Sequence, residues 1–88
     1  MRLKGLENMK HLKDIFFNSI KAILKNPMLG EEKRGDLRGI RSYNIRYKNV
    51  NYELAYSILF ENEEIIIVIM AGSRENFYED LKRYLRSQ

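Results

Sequence analysis

The run Ile65-Ile66-Ile67-Val68-Ile69-Met70 constrains this chain more than any other stretch. It lacks the alternation of a half-solvated strand, so it is expected to cross the middle of a sheet with both faces covered. It ends at Ala71-Gly72-Ser73, and Arg74-Glu75-Asn76-Phe77-Tyr78 then opens a short amphipathic helix. An arginine and a tyrosine therefore stand where a rigid strand meets solvent, a place where sites are commonly built.

With 88 residues, residues 1–88 are expected to form one domain that buries roughly 60–65% of its unfolded surface. Its core should be a single thin layer between a sheet and one or two helices. The absence of cysteine excludes disulfides and thiolate metal sites and suits a cytoplasmic protein. The longest apolar run is far short of the ~20 residues that span a bilayer. Met1-Arg2-Leu3-Lys4 leads into a charged helix without the apolar centre of a signal peptide. Neither a membrane, a metal nor a cofactor is expected.

Leu6, Met9, Leu12, Phe16, Ile20 and Ile23 recur at three- and four-residue spacing, with Leu24 alongside. They predict a helix from about residue 6 to 25, stopped by Asn26-Pro27. Phe17 falls off the centre of that stripe, as core margin or as a partner contact, and His11 sits on the polar side as a surface residue. Residues 28–39 read as an irregular loop carrying Gly30, Gly35 and Gly39; it lacks the Gly-Lys-Ser/Thr spacing of a phosphate loop. The period then changes to two. Tyr43, Ile45 and Tyr47, followed by Tyr52, Leu54, Tyr56, Ile58 and Phe60, mark strands near 41–48 and 52–60, each with one buried face. With Asn49-Val50 as the hairpin tip, Tyr47 faces Tyr52, Ile45 faces Leu54, Tyr43 faces Tyr56, and Arg46 faces Glu53. Glu61-Asn62-Glu63 turns into the strand 64–70, and a helix of about 75–86 closes the chain. The expected fold is α+β: an N-terminal helix packed on an antiparallel meander of three to four strands, then a C-terminal helix.

Charge is uneven. Sixteen Lys/Arg against twelve Asp/Glu give +4, but from Lys33 to Lys48 six basic residues accompany one acid, Asp36. Lys33, Arg34, Arg38, Arg41 and Lys48 are candidate contacts to a nucleic acid backbone, because neutralising phosphates releases condensed counterions. An acidic protein segment would fit them too, and a solvated loop and hairpin edge is the plain alternative.

Four stretches in order now match a family. Asn26-Pro27…Gly30, then Gly35-Asp36-Leu37-Arg38-Gly39-Ile40-Arg41-Ser42-Tyr43-Asn44-Ile45-Arg46, then Tyr52-Glu53-Leu54-Ala55-Tyr56, then Gly72-Ser73-Arg74…Tyr78 resembles the RelE/ParE superfamily of bacterial toxins. The resemblance covers roughly residues 6 to 86. It implies a small α+β fold, a cognate antitoxin protein as partner, and a homo-oligomer or toxin–antitoxin hetero-oligomer. It also implies one of two targets. The RelE branch cleaves mRNA on the ribosome as an endoribonuclease, whereas the ParE branch poisons DNA gyrase. The first is the expected activity, the second its alternative, and a member that only binds its antitoxin is a third.

RelE-like cleavage drives the ribose 2′-OH onto the adjacent phosphorus, which requires a proton acceptor, a proton donor and cations for the charged transition state. By resemblance, Arg74 matches the family's arginine at the end of the last strand, Tyr78 its tyrosine in the following helix, and Arg46 a basic position on the first hairpin strand. These three are the expected catalytic residues. Two positions depart: Glu53 stands where an arginine is usual, and Asn44 replaces a second basic residue. Glu53 is read as the cross-strand ion-pair partner of Arg46, or alternatively as a base. The family's first strand, before the first helix, could come only from Met1 to Lys4.

Overall fold

The structure is a computed structural model in which residues 2–4 and 10–87 are described. In chain order it contains β1 (Arg2–Lys4), α1 (Lys10–Lys25), β2 (Glu31–Glu32), a 3-10 turn (Gly35–Leu37), β3 (Arg41–Tyr47), β4 (Val50–Phe60), β5 (Glu64–Ser73) and α2 (Phe77–Arg86). The sheet order is β1-β5-β4-β3-β2, with β1 parallel to β5 and the remaining pairs antiparallel. The expected α+β meander between two helices is thus present, extended to five strands by two short flanking ones. Arg2–Lys4 does supply a first strand. Residues 6–9 of the expected first helix lie outside the described residues.

The sheet has a core on each face rather than one thin layer. Leu12, Phe16 and Ile23 of α1 pack on Ile45, Tyr52, Leu54, Tyr56 and Ala71. On the other face Phe77 and Leu81 of α2, with Leu37 and Ile40 from the turn region, cover Ala55 and Met70. Strand alternation makes this possible, because Leu54 and Ala55, or Met70 and Ala71, point to opposite sides. The tyrosine ladder follows the same rule. Tyr52 and Tyr56 are buried, while Tyr43 and Tyr47 pack half-buried at the margin of the α1 core. His11 is exposed, and Phe17 is 48% exposed.

The apolar run of β5 is covered on both faces only at its end. Met70 and Ala71 are fully buried, but Ile65 and Ile67 are 42% and 44% exposed. Ile67 pairs with Ser57 on the face of α2, beyond that helix, and Ile69 is the extra residue of a bulge opposite Ala55/Tyr56.

The hairpin register differs by two from the expected one. Lys48 and Asn49 both take positive φ, 49° and 63°, so they form the two-residue tip and Tyr47 pairs with Val50. Arg46 consequently faces Asn51, and Asn44 faces Glu53. The Arg46–Glu53 cross-strand pair does not form. A shift of two leaves every side chain on its expected face, so the apolar pattern holds in both registers.

Candidate functional site

Where β3 and β4 leave the cover of α2, their polar residues floor a cavity of about 360 Å³. Ser42, Asn44 and Glu53 form the floor, and Tyr78, Arg74, Glu31 and Lys33 complete the lining. Local sequence explains each placement. β5 ends at Ser73, and the Arg74 amide donates to the Asn51 carbonyl at 2.9 Å, fixing the backbone while its side chain stays exposed. Asn76, at φ 57°, turns the chain into α2. Phe77 then enters the core, and its neighbour Tyr78 stands edge-on to the Phe77 ring with centroids 5.5 Å apart. The Tyr78 ring is therefore half core, and its hydroxyl reaches the cavity floor.

Glu53 organises that floor. It is 4% exposed and accepts from three neutral donors. Ser42 Oγ donates to Oε1 at 2.5 Å, Tyr78 OH donates to the same oxygen at 3.1 Å, and Asn44 Nδ2 donates to Oε2 at 2.7 Å. Burying a carboxylate costs several kcal/mol unless it is hydrogen-bonded, and charge-assisted bonds return about 1.5–3 kcal/mol each. Three such bonds hold the carboxylate without a cation. In the same stroke they aim the Tyr78 proton at Glu53.

The cations stand above this floor. Lys33 Nζ lies 5.0 Å from the Tyr78 ring centroid and 3.0 Å from Glu31 Oε1. Burial pulls the Lys33 pKa down, but hydrogen bonding to Tyr78 and Glu31, with their charges, outweighs it and leaves the ammonium above its ordinary value. The hydrogen bond from Lys33, then its charge, holds exposed Glu31 below the usual carboxylate value. A phosphate entering here would meet the cations Arg74 and Lys33 and the Tyr78 ring in one cavity.

Among the expected catalytic residues, Arg74 and Tyr78 line one cavity. Arg46 is exposed on the same sheet face, one pair further along β3 and outside the lining. Lys33, expected as a backbone contact, belongs to the cavity instead. Arg34 and Arg38 flank the 3-10 turn and are exposed. Lys48 sits at the hairpin tip, 5.4 Å from the Tyr47 ring centroid. Arg41 is occupied with the preceding loop: Nε donates to the Gly30 carbonyl at 2.8 Å, and Nη1 lies 3.7 Å from Glu32. The sequence alone assigns Ser42 no role and makes Glu53 the pair of Arg46 or a base. Their common face was visible in the alternation, but their contact depends on the turn.

Among the described residues, no helix is long and apolar enough to cross a membrane. No curated protein and no solved structure matches the chain. The family model of the ParE-like toxin of type II bacterial toxin–antitoxin systems matches residues 2–82, which takes in both sheet cores and every residue of the cavity. Type II systems pair such a toxin with a protein antitoxin, and this chain belongs to that ParE-like toxin family.

Proposed function

We propose that this toxin is a ribosome-dependent mRNA endoribonuclease of the cytoplasm. The observation that carries the reading is the convergence of Lys33, Arg74 and Tyr78 on one open cavity above a buried carboxylate. In the reaction the 2′-oxygen bonds to phosphorus and the bond to the 5′-oxygen breaks, leaving a cyclic phosphate and a 5′-hydroxyl. Arg74 and Lys33 bracket the phosphoryl oxygens as negative charge builds on them. The Tyr78 hydroxyl turns from Glu53 to the departing 5′-oxygen and gives up its proton, leaving a phenolate beside Lys33, while Glu53 stays held by Ser42 and Asn44 and takes no proton from substrate. Both Glu53 oxygens are already engaged, so the 2′-proton leaves to solvent or to a group of the ribosome. Arg46, Arg34, Arg38 and Lys48 contact the RNA backbone outside the cavity; Arg41 keeps its loop in shape.

Gyrase inhibition is the second reading. The Tyr78 proton points inward to Glu53, and the matching family is named ParE-like. Expression of the chain with mapping of mRNA 5′ ends separates the readings. Cuts in the ribosomal A site that fall by roughly 10²–10³-fold in Arg74→Ala, and fall in Tyr78→Phe, with circular dichroism unchanged, are the expected result. An SOS response over intact mRNA assigns the chain to gyrase, and normal growth assigns it to antitoxin binding alone.

A further inference from the structure

The β4–β5 hairpin is longer than the sheet that holds it. β3 begins at Arg41, opposite Tyr56, so the outer edge of β4 beyond Tyr56 has no strand neighbour among the described residues. β1 meets β5 only at Met70, Ala71 and Gly72, so the edge from Glu64 to Ile69 is also open among the described residues. This overhang carries Leu59, Phe60, Ile65 and Ile67, each between 39% and 63% exposed. Its turn is acidic, with Glu61, Glu63 and Glu64 in four residues of a chain whose net charge is +4. An open apolar strand edge is a template for another strand.

We propose that this edge of β5 pairs with the same edge of a second copy of the chain, antiparallel about a two-fold axis through Ile66. In that register Ile66 faces Ile66, Ile65 faces Ile67, and Glu64 faces Val68. Apolar pairs then form on both faces of a continuous ten-stranded sheet, and no carboxylate faces another. Charge selects the second copy over an acidic partner segment. Between two copies each glutamate of the strand and its entry meets an apolar residue, Glu64 on Val68 and Glu63 on Ile69. An acidic strand on this edge would instead set its charge beside three glutamates. None of the cavity residues takes part, so this inference stands or falls apart from the nuclease reading.

Sedimentation equilibrium of the purified full chain is the test, and a mass twice the 10.6 kDa of the chain is expected. Ile67→Lys, which leaves the α1 core untouched, weakens the dimer by at least roughly tenfold in Kd with an unchanged circular dichroism spectrum. Ile65→Lys, which faces Ile67 of the other copy in this register, weakens it as well. Amides of Glu64–Ile69 gain exchange protection as the concentration rises. A monomer at every soluble concentration, a dimer indifferent to Ile67→Lys, or β5 amides protected only when antitoxin is added would each overturn the proposal.

Discussion

Tyr56 shows how much one hydroxyl can fix. The ring is fully buried on the α1 face, and its oxygen both accepts from the Gly30 amide at 2.8 Å and donates to the Pro27 carbonyl at 2.6 Å. A Cβ at Gly30 would lie 2.7 Å from Cε1 of that ring, so the loop needs glycine for space. Tyr56→Phe strands two backbone groups and should cost about 1–3 kcal/mol, read as a lower urea midpoint with an unchanged slope. At the cavity rim, Glu31 and Lys33 give a pH signature. Glu31, lowered when folded, contributes stability above 4.5 and loses it as pH falls through its folded value. Lys33, raised when folded, contributes below 10.5 and loses it as pH rises through its folded value. The pair is therefore intact between those limits. Titration of Glu31 followed by carbon NMR should give a midpoint below 4.5, returning toward 4.5 in Lys33→Met. Of the site residues, Arg74 and Tyr78 were legible because a strand end and a helix start are both written in local pattern. Glu53 was not, since its burial depends on Ser42, Asn44 and Tyr78, which only the tertiary fold brings to it.

At the level of elements, phase was legible and register was not. Alternating Tyr43, Ile45 and Tyr47 against Tyr52, Leu54 and Tyr56 fixes which face is buried, but sliding one strand by two residues preserves that phase. Turn chemistry breaks the tie, and here the signal is weak because the tip is Lys48-Asn49 rather than a glycine-bearing pair. A lysine at φ 49° bears a left-handed strain that asparagine tolerates better. Converting the tip to an asparagine–glycine pair, by Lys48→Asn together with Asn49→Gly, should therefore stabilise the protein by about 0.5–1 kcal/mol. Thermal denaturation tests this directly; destabilisation would mean that the tip is Asn49-Val50 after all. The short edge strands β1 and β2 were barely visible for a related reason. Three and two residues are too few to display a period.

Across the whole molecule, the two cores share one sheet and are expected to melt as one. Leu54 belongs to the α1 core and Ala55 to the α2 core, and Met70 and Ala71 are divided the same way. Unfolding either core releases a strand that holds the other, so no half of the domain has independent support. Phe16 and Phe77 are both fully buried, on opposite faces. Each Phe→Ala substitution should cost about 3–5 kcal/mol, a large part of the ~5–15 kcal/mol that holds a domain folded. In a domain of this size each kcal/mol lowers Tm by roughly 4–8 °C. Far-ultraviolet circular dichroism follows the helices and the sheet, while the ring-proton NMR signals of Tyr52 and Tyr56 follow the α1 face. The two probes should trace a single coincident transition in both variants, at a lower temperature in each. Separate transitions, with Phe77→Ala melting α2 while the tyrosine signal stays native, would show that the α1 core stands alone. The cavity would then rest on a detachable helix, because Tyr78 rides on α2 and Glu53 on the sheet. Coincidence instead ties the geometry of the site to the stability of the entire fold.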